Sequence, residues 1–330
     1  MAEQTDGFEG GVGLVLGAGG IIGHAWHAGV LAALAESGWD ARSADVVVGT
    51  SAGSVVAALL RADLDPKDVY ARTTGQTLSA AGQRVVEAGL GSGPMAAPTF
   101  RPPARGGWSP AAPTTLLRAF NPLNLRLGLL AAGGLPRGTT DTAIISEGIG
   151  RLHADTWSER PLWICAARLR DGRLVVFGRD EVEATVGQAV AASCAIPGFF
   201  APVSIHGEDH VDGGVHSPTN ADVLADRRLA HVVVSSPMSL DRSAARRPRP
   251  EKALRLAHRA TLLREVAAVR RAGTRVVSFQ PGPDDLAAMG PPGTAMRPER
   301  REPVARLARE TTLRRLEAPA VRTALEPLLT

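Results

Sequence analysis

An α/β domain built on parallel strands is the fold class that this sequence predicts, and three observations predict it. Two apolar runs, Val12-Gly13-Leu14-Val15-Leu16 and Asp45-Val46-Val47-Val48, read as strands buried on both faces. Each is followed at once by a glycine-bearing turn and then by residues at helical spacing, so residues 12–60 form two β-loop-α units in tandem. A length of 330 residues with 44% hydrophobic content supplies one large core, with room for an appended helical segment.

In the first unit Ile22, Trp26, Val30, Ala33 and Leu34 recur at helical spacing across residues 21–36, and Gly38 marks the stop. In the second, the strand ends in Gly49-Thr50-Ser51-Ala52-Gly53, and residues 54–60 read as a small-residue helix packed closely on the sheet. A right-handed crossover sets both strands in one sheet with their C-terminal ends at the same edge, so both glycine loops open there. Residues 74–138 are rich in Gly, Pro and Ala without a strand pattern; they predict an irregular insertion with one apolar helical part at 115–130. Strands resume at 162–166 and 173–177, joined around Asp171-Gly172 as a tight hairpin. A helix at 185–193, a loop from Pro197 and a short strand at His210-Val211 then lead into Asp212-Gly213-Gly214. A buried strand at 231–235, a basic amphipathic helix at 251–271 and a strand at 275–279 follow, and residues 298–329 read as helical and arginine-rich.

The net charge of +4 is carried by arginine, since Lys67 and Lys252 are the only lysines. Such a low-lysine, Ala/Gly/Pro/Arg-rich composition reflects biased codon usage rather than a binding role, and no nucleic-acid partner is expected. Arginines between 242 and 322 could face anionic lipid, although a solvated helix face accounts for them as well. Cys165 and Cys194 lie in apolar stretches without metal-ligand spacing, which predicts buried thiols and no disulfide. Residues 1–11 lack a basic segment followed by an apolar one, and the nearest approach to a membrane span, 127–135, is short and broken by glycine. The expectation is a cytoplasmic protein, soluble or peripherally attached to membrane; the oligomeric state is not given by these features.

Three motifs carry chemistry. Gly49-Thr50-Ser51-Ala52-Gly53 is a G-x-S-x-G between a strand and a helix, where flanking glycines let the chain turn sharply enough to expose the serine oxygen. The helix that starts there aims its positive end at the serine, and its first amides, Ala52 among them, can share in holding an oxyanion. Gly17-Ala18-Gly19-Gly20-Ile21-Ile22-Gly23 has glycines at 17, 20 and 23, which fits a dinucleotide fingerprint, an oxyanion hole facing Ser51, or simply close helix–sheet packing. The dinucleotide reading expects an acidic residue at the end of the second strand, where Gly49-Thr50-Ser51 stands instead. Asp212-Gly213-Gly214 is distinguished from an ordinary Asp-Gly turn by its setting, after Ile196-Pro197-Gly198-Phe199-Phe200-Ala201-Pro202-Val203 and before Ser217-Pro218-Thr219-Asn220.

A glycine-rich loop after the first strand, a G-x-S-x-G about thirty residues on, an Ile-Pro-Gly-x-Phe-x-Pro-Val segment and a distal Asp-Gly-Gly, in this order from Val12 to Ser236, resemble the patatin-like phospholipases. The resemblance implies a three-layer α/β/α fold with a mostly parallel central sheet; its motifs cover neither the insertion nor the tail, and the expected division is a catalytic domain over residues 1–290, with the insertion at about 74–138, and a helical C-terminal extension over 291–330. The resemblance also implies a Ser–Asp dyad that cleaves acyl esters of lipids with no metal or cofactor. Ser51 takes the place of the nucleophile, Asp212 that of the general base, and Gly19 and Gly20 those of the oxyanion-hole amides; Gly17, Ala18, Gly23, Gly49, Gly53, Gly213 and Gly214 fall on the motif positions around them. Two positions depart from the family pattern: Ala18 replaces a glycine, and Ile22 replaces a cation that could help hold a phosphate.

Other readings compete. His24 and His27 could line the pocket or sit half-buried on the helix. His206, His210 and His216 cluster in sequence around Asp212, and His216 could complete a Ser–His–Asp triad, although that arrangement usually places more strands before the serine. A nucleotide-binding protein or dehydrogenase using the Gly17 loop and a catalytically silent lipid-binding protein are the alternatives of different class. Residues 116–130 could form a lid or an acyl-chain wall.

Overall fold

The computed structural model describes residues 8–90, 134–135, 138–246 and 250–329; the helix and lid read at 115–130 lie outside these residues. The strands are β1 (Val12–Leu16), β2 (Val46–Thr50), β3 (Leu162–Arg168), β4 (Leu174–Phe177), β5 (Val203–Ile205), β6 (Glu208–Asp212), β7 (His231–Ser235) and β8 (Arg275–Phe279). The helices are α1 (Gly20–Glu36), α2 (Ala52–Arg61), α3 (Pro66–Thr74), α4 (Ala80–Gly89), α5 (Ala143–Leu152), α6 (Val186–Ser193), α7 (Arg242–Ala245), α8 (Ala253–Arg271), α9 (Pro283–Met289), α10 (Arg301–Leu316) and α11 (Pro319–Leu325). The strands form one sheet of eight, whose centre runs parallel in the order β3-β2-β1-β7-β8, while β4, β5 and β6 are antiparallel additions.

Strand residues alternate between faces, and each face has its own helices. Leu14, Leu16, Val47, Ile164 and Val233 share a core with α1, α2, α6 and α10. Val15, Val48, Trp163 and Val234 pack against Leu262, Val266 and Val269 of α8. With helices on both faces, the three-layer α/β/α fold is present. A fully buried Leu or Val contributes about 1.5–3 kcal/mol, so the wholly buried strands β2 and β7, and β1 beyond Val12, contribute heavily to the stability of the sheet.

The pairing around β3 decides where the site forms. Ile164 and Cys165 pair with both β2 and β4, so these two strands lie on opposite sides of β3. Ala166 and Ala167 pair with both β4 and β6, so β6 lies on the β2 side. Thr50 is opposite Cys165 and Asp212 is opposite Ala166. Strands β2 and β6 therefore meet end to end along β3, running toward each other, and their last residues are neighbours.

The hairpin expected at Asp171-Gly172 joins β3 to β4, and the expected helix at 185–193 begins after Thr185, whose side chain caps it together with Gln188. Helices α3, α4 and α5 and strand β5 were not evident in the sequence. The C-terminal residues are helical, and α10 contributes Val304, Ala305 and Ala308 to the core of α1. The two helices touch backbone to backbone at Gly29, where a Cβ would meet the Ala305 carbonyl. No helix among the described residues is long and apolar enough to cross a membrane.

Candidate active site

Ser51 sits between β2 and α2 with φ 53° and ψ −120°, in a region that L residues rarely occupy. Such strain costs about 1–3 kcal/mol and persists only where the surroundings enforce it. Here the flanking glycines do so: a Cβ at Gly49 would lie 2.5 Å from Ser54 Cα, and one at Gly53 would run into the Leu16 carbonyl. The Ser51 N–H donates to Ser193 Oγ at 2.8 Å, and Ser193 Oγ donates to the Cys165 carbonyl at 2.7 Å. The Ser51 carbonyl accepts from Ser54 Oγ at 2.6 Å. Although Ser51 occupies the N-cap position of α2, its side chain makes no capping bond, so the hydroxyl is left for the cleft.

Asp212 ends β6 and is buried. Its backbone N–H donates to the Ala195 carbonyl, and its Oδ1 accepts from the Gly214 N–H at 2.7 Å. Burial raises its pKa to about 6, against the opposing pull of the Ser51 hydroxyl and the Gly214 amide. The carboxyl is thus a weak acid beside the serine, able to change protonation state close to neutral pH. Gly213 has no room for a side chain, since a Cβ would meet the Cys165 carbonyl.

The glycine loop lies on the other side of Ser51. The Ala18 N–H donates to the Pro218 carbonyl at 2.7 Å and the Ile22 N–H to the Ala295 carbonyl at 3.0 Å. Among the described residues, the N–H groups of Gly19, Gly20 and Ala52 have no acceptor. Gly20 has φ 62°, and a Cβ there would lie 2.9 Å from the Ala295 carbonyl oxygen and the Met296 sulfur. His27 is fully buried and holds the loop from behind: its Nε2 donates to the Gly17 carbonyl at 2.7 Å and its Nδ1 accepts from Ser235 Oγ at 2.8 Å. Burial pulls its pKa down to about 4, so the ring is neutral.

Two cavities converge on this point. One of about 580 Å³ is lined by Gly19, Gly20, Ser51, Asp212 and Gly214, and a second of about 250 Å³ is walled by Val55, Ile145, Ile149 and Phe200. They share Gly20, Ser51, Ile196 and Met296, so Ser51 is reached from two sides by largely apolar space. A family model described as patatin-like phospholipase matches residues 14–225, more than half of the chain.

The chain belongs to the patatin-like phospholipase family.

This is a family of lipid acyl hydrolases. No curated protein sequence matches the chain. Among solved structures the chain is similar to VipD from Legionella pneumophila, at 13% identity over 96% of this chain and 71% of that one, with a TM-score of 0.43. The patatin-like span contains Ser51, Asp212 and the glycine loop, but it ends before α8 and before Ala295 and Met296, which also wall the larger cavity.

Of the candidates read from sequence, Ser51, Asp212, Gly214 and the loop around Gly19 and Gly20 come together at one cleft. His24 lines the smaller cavity, where burial pulls its pKa down to about 3. His216 lines neither cavity, His206 is exposed with its Nε2 on the Glu183 carbonyl, and buried His210 packs against Phe177. Sequence reasoning missed Asn220, whose Nδ2 donates to Thr50 Oγ1 at 3.1 Å, to the Ser217 carbonyl at 2.8 Å and to the Gly213 carbonyl at 3.4 Å. It is buried with φ 51°, and Asn is among the few residues that tolerate that conformation. It also missed Glu265 of α8, which accepts from Ser217 Oγ, from Thr219 Oγ1 and from the Ala221 N–H, tying the loop after Asp212 to the opposite helix layer.

Proposed function

We propose that this protein is a serine acyl hydrolase that cleaves lipid or other carboxylic esters through an acyl-Ser51 intermediate, with Asp212 as general base. The observation that carries the reading is the adjacency of a strained, uncapped Ser51 hydroxyl and a buried carboxyl with pKa about 6, facing amides without acceptors. Above about pH 6 the carboxylate takes the hydroxyl proton as Ser51 Oγ bonds to the ester carbon. The N–H groups of Gly19, Gly20 and Ala52 hold the oxyanion, and collapse of the intermediate expels the alcohol with the proton from Asp212. Water then attacks the acyl carbon and gives a proton to Asp212; the bond to Ser51 Oγ breaks, Asp212 returns the proton to that oxygen, and the carboxylic acid leaves. The electrophile is supplied by backbone amides, so this route calls for neither metal nor cofactor.

Leu135, Ile144 and Leu254 are exposed large apolar side chains, and each lines one of the two cavities. Apolar residues at the mouths of a cleft favour a substrate drawn from a lipid surface over one free in water.

Treatment with a fluorophosphonate tests the reading: Ser51 is expected to be the labelled residue, and Ser51→Ala to abolish both labelling and ester hydrolysis in a folded protein. The rate is expected to fall by several orders of magnitude. Hydrolysis undiminished in the alanine variant would remove Ser51 from the mechanism.

A further inference from the structure

The larger cavity holds a charge that the chemistry at Ser51 does not use. Arg255 and His258 stand three residues apart on α8, hence on one face of that helix, and both line the cavity that contains Ser51, Asp212 and the amides of Gly19 and Gly20. Among the described lining residues Arg255 is the only permanent cation. The glycine loop brings none, because the side chains it places in the cavity are Ala18 and Ile22.

Arg255 is held by neutral partners. Its Nη1 donates to the Pro237 carbonyl at 2.6 Å and to the Ser239 carbonyl at 3.1 Å, and its Nη2 lies 3.7 Å from the Met289 sulfur, a weak acceptor. A guanidinium has five N–H donors, so these contacts leave some of them without an acceptor among the described residues, on a side chain that lines the cavity. Among the described residues no carboxylate pairs with it, whereas Arg42, Arg168 and Arg309 each meet an Asp or Glu. Burial without a counter-charge pulls its pKa down to about 10, which still leaves it cationic at neutral pH. His258 is neutral there, since burial holds its pKa below the ordinary value and its Nδ1 donates to the Met238 carbonyl at 3.3 Å. A partly desolvated cation without a counter-ion is costly, and a ligand anion relieves that cost.

We propose that Arg255 forms an anion subsite of this cleft, taking a phosphate or carboxylate group carried by the substrate while the apolar walls take its hydrocarbon. The proposal deepens the hydrolase reading and rests on it only for which bond is cleaved; the anion binding stands on the cavity and its cation.

The test is calorimetric titration of the native protein with octyl phosphate, octanoate and octanol, three probes of one chain length. At least one anion is expected to bind about ten- to hundredfold more tightly than the alcohol, the range for a charge-assisted hydrogen bond away from bulk water. The tighter of the two anions identifies the source, phosphate or carboxylate. Arg255→Met is expected to bring the anion-to-alcohol ratio close to one, and Arg255→Lys to keep much of it. If Arg255 only anchored Pro237 and Ser239, the variants would weaken all three ligands together and leave the ratio intact, which overturns the proposal. Equal affinity of the native protein for all three also overturns it, whether or not the variants fold. Bound anion should slow fluorophosphonate labelling of Ser51, and binding that leaves labelling untouched places the anion elsewhere. A protein that discriminates anions through Arg255 but never labels at Ser51 keeps the subsite and loses the hydrolase reading.

Discussion

The strand that ends at Ser51 and the strand that ends at Asp212 meet along β3, but different forces hold them. The Ser51 turn is fixed largely locally: glycines at 49 and 53 admit the neighbouring backbone, and Ser54, the residue after the motif, closes the turn onto the Ser51 carbonyl. Asp212 is fixed from a distance. Its strand pairs with β3, its N–H reaches Ala195, and Asn220 bridges the turn that follows it to Thr50. The Ser51 turn is therefore set mainly by residues 49–54, with Ser193 as a distant support, whereas the place of the proposed base depends on segments scattered over more than half of the chain.

The largest effect expected beyond Ser51 itself comes from Asp212→Asn, which keeps the shape and the Gly214 bond but cannot take a proton. On a soluble p-nitrophenyl ester kcat should fall by about a hundredfold to ten-thousandfold. The native kcat/KM should rise with pH through about 6 as the carboxyl ionises, and the variant should lack that limb. Stability moves the other way. Folding raises this pKa from 3.8 to about 6, so the group favours the folded state below pH 4 and that contribution is lost as pH rises through 6. Asp212→Asn should accordingly unfold at higher denaturant than the native protein at pH 8, by on the order of 2–3 kcal/mol, with the gap closing toward pH 4. A variant less stable at pH 8 would mean that the carboxylate is paid for by contacts that Asn loses.

Asn220→Ala sharpens the comparison from the side of the tether. It leaves Thr50 and the Gly213 carbonyl without their shared partner, and chemical denaturation should record a loss of about 1–3 kcal/mol. The fall in kcat should be smaller than for Asp212→Asn, because Asp212 is still present and only its register against Ser51 is loosened. Undiminished stability would show that the pairing with β3 holds that register unaided. The smallest effect is expected from His216→Ala, which should leave kcat nearly unchanged, since His216 lines neither cavity. A loss as large as that of Asp212→Asn in a folded protein would establish a triad.

What could be read in advance follows the same division. The strands around residues 12–16 and 46–50, the Ser51 turn and the glycine loop are written in short apolar runs and glycine spacing, so they were legible. Asp212 was marked by its neighbours in sequence, but that β6 abuts the end of β2 follows from three strands competing for the two sides of β3, which no local pattern encodes. Ser193 and Asn220 were missed because their partners lie 142 and 170 residues away. Gly29 was a usable signal: a glycine inside a well-formed helix pattern marks close approach by another backbone. The loop at 295–296 offered none, since its part in walling the cleft rests on a contact with Gly20 and Ile22 more than 270 residues away.

That last arrangement sets the order in which the molecule can be completed during its own synthesis. Ser51 and Asp212 both leave the ribosome well before the chain reaches Ala295, so a nascent chain already holds both groups while Gly20 has no roof and α1 has no helix against Gly29. The contact of α1 with α10 at Gly29 joins segments more than 270 residues apart, so it forms only after α10 has been made. The walls of the cleft are thereby drawn from residues beyond the segment that carries its motifs.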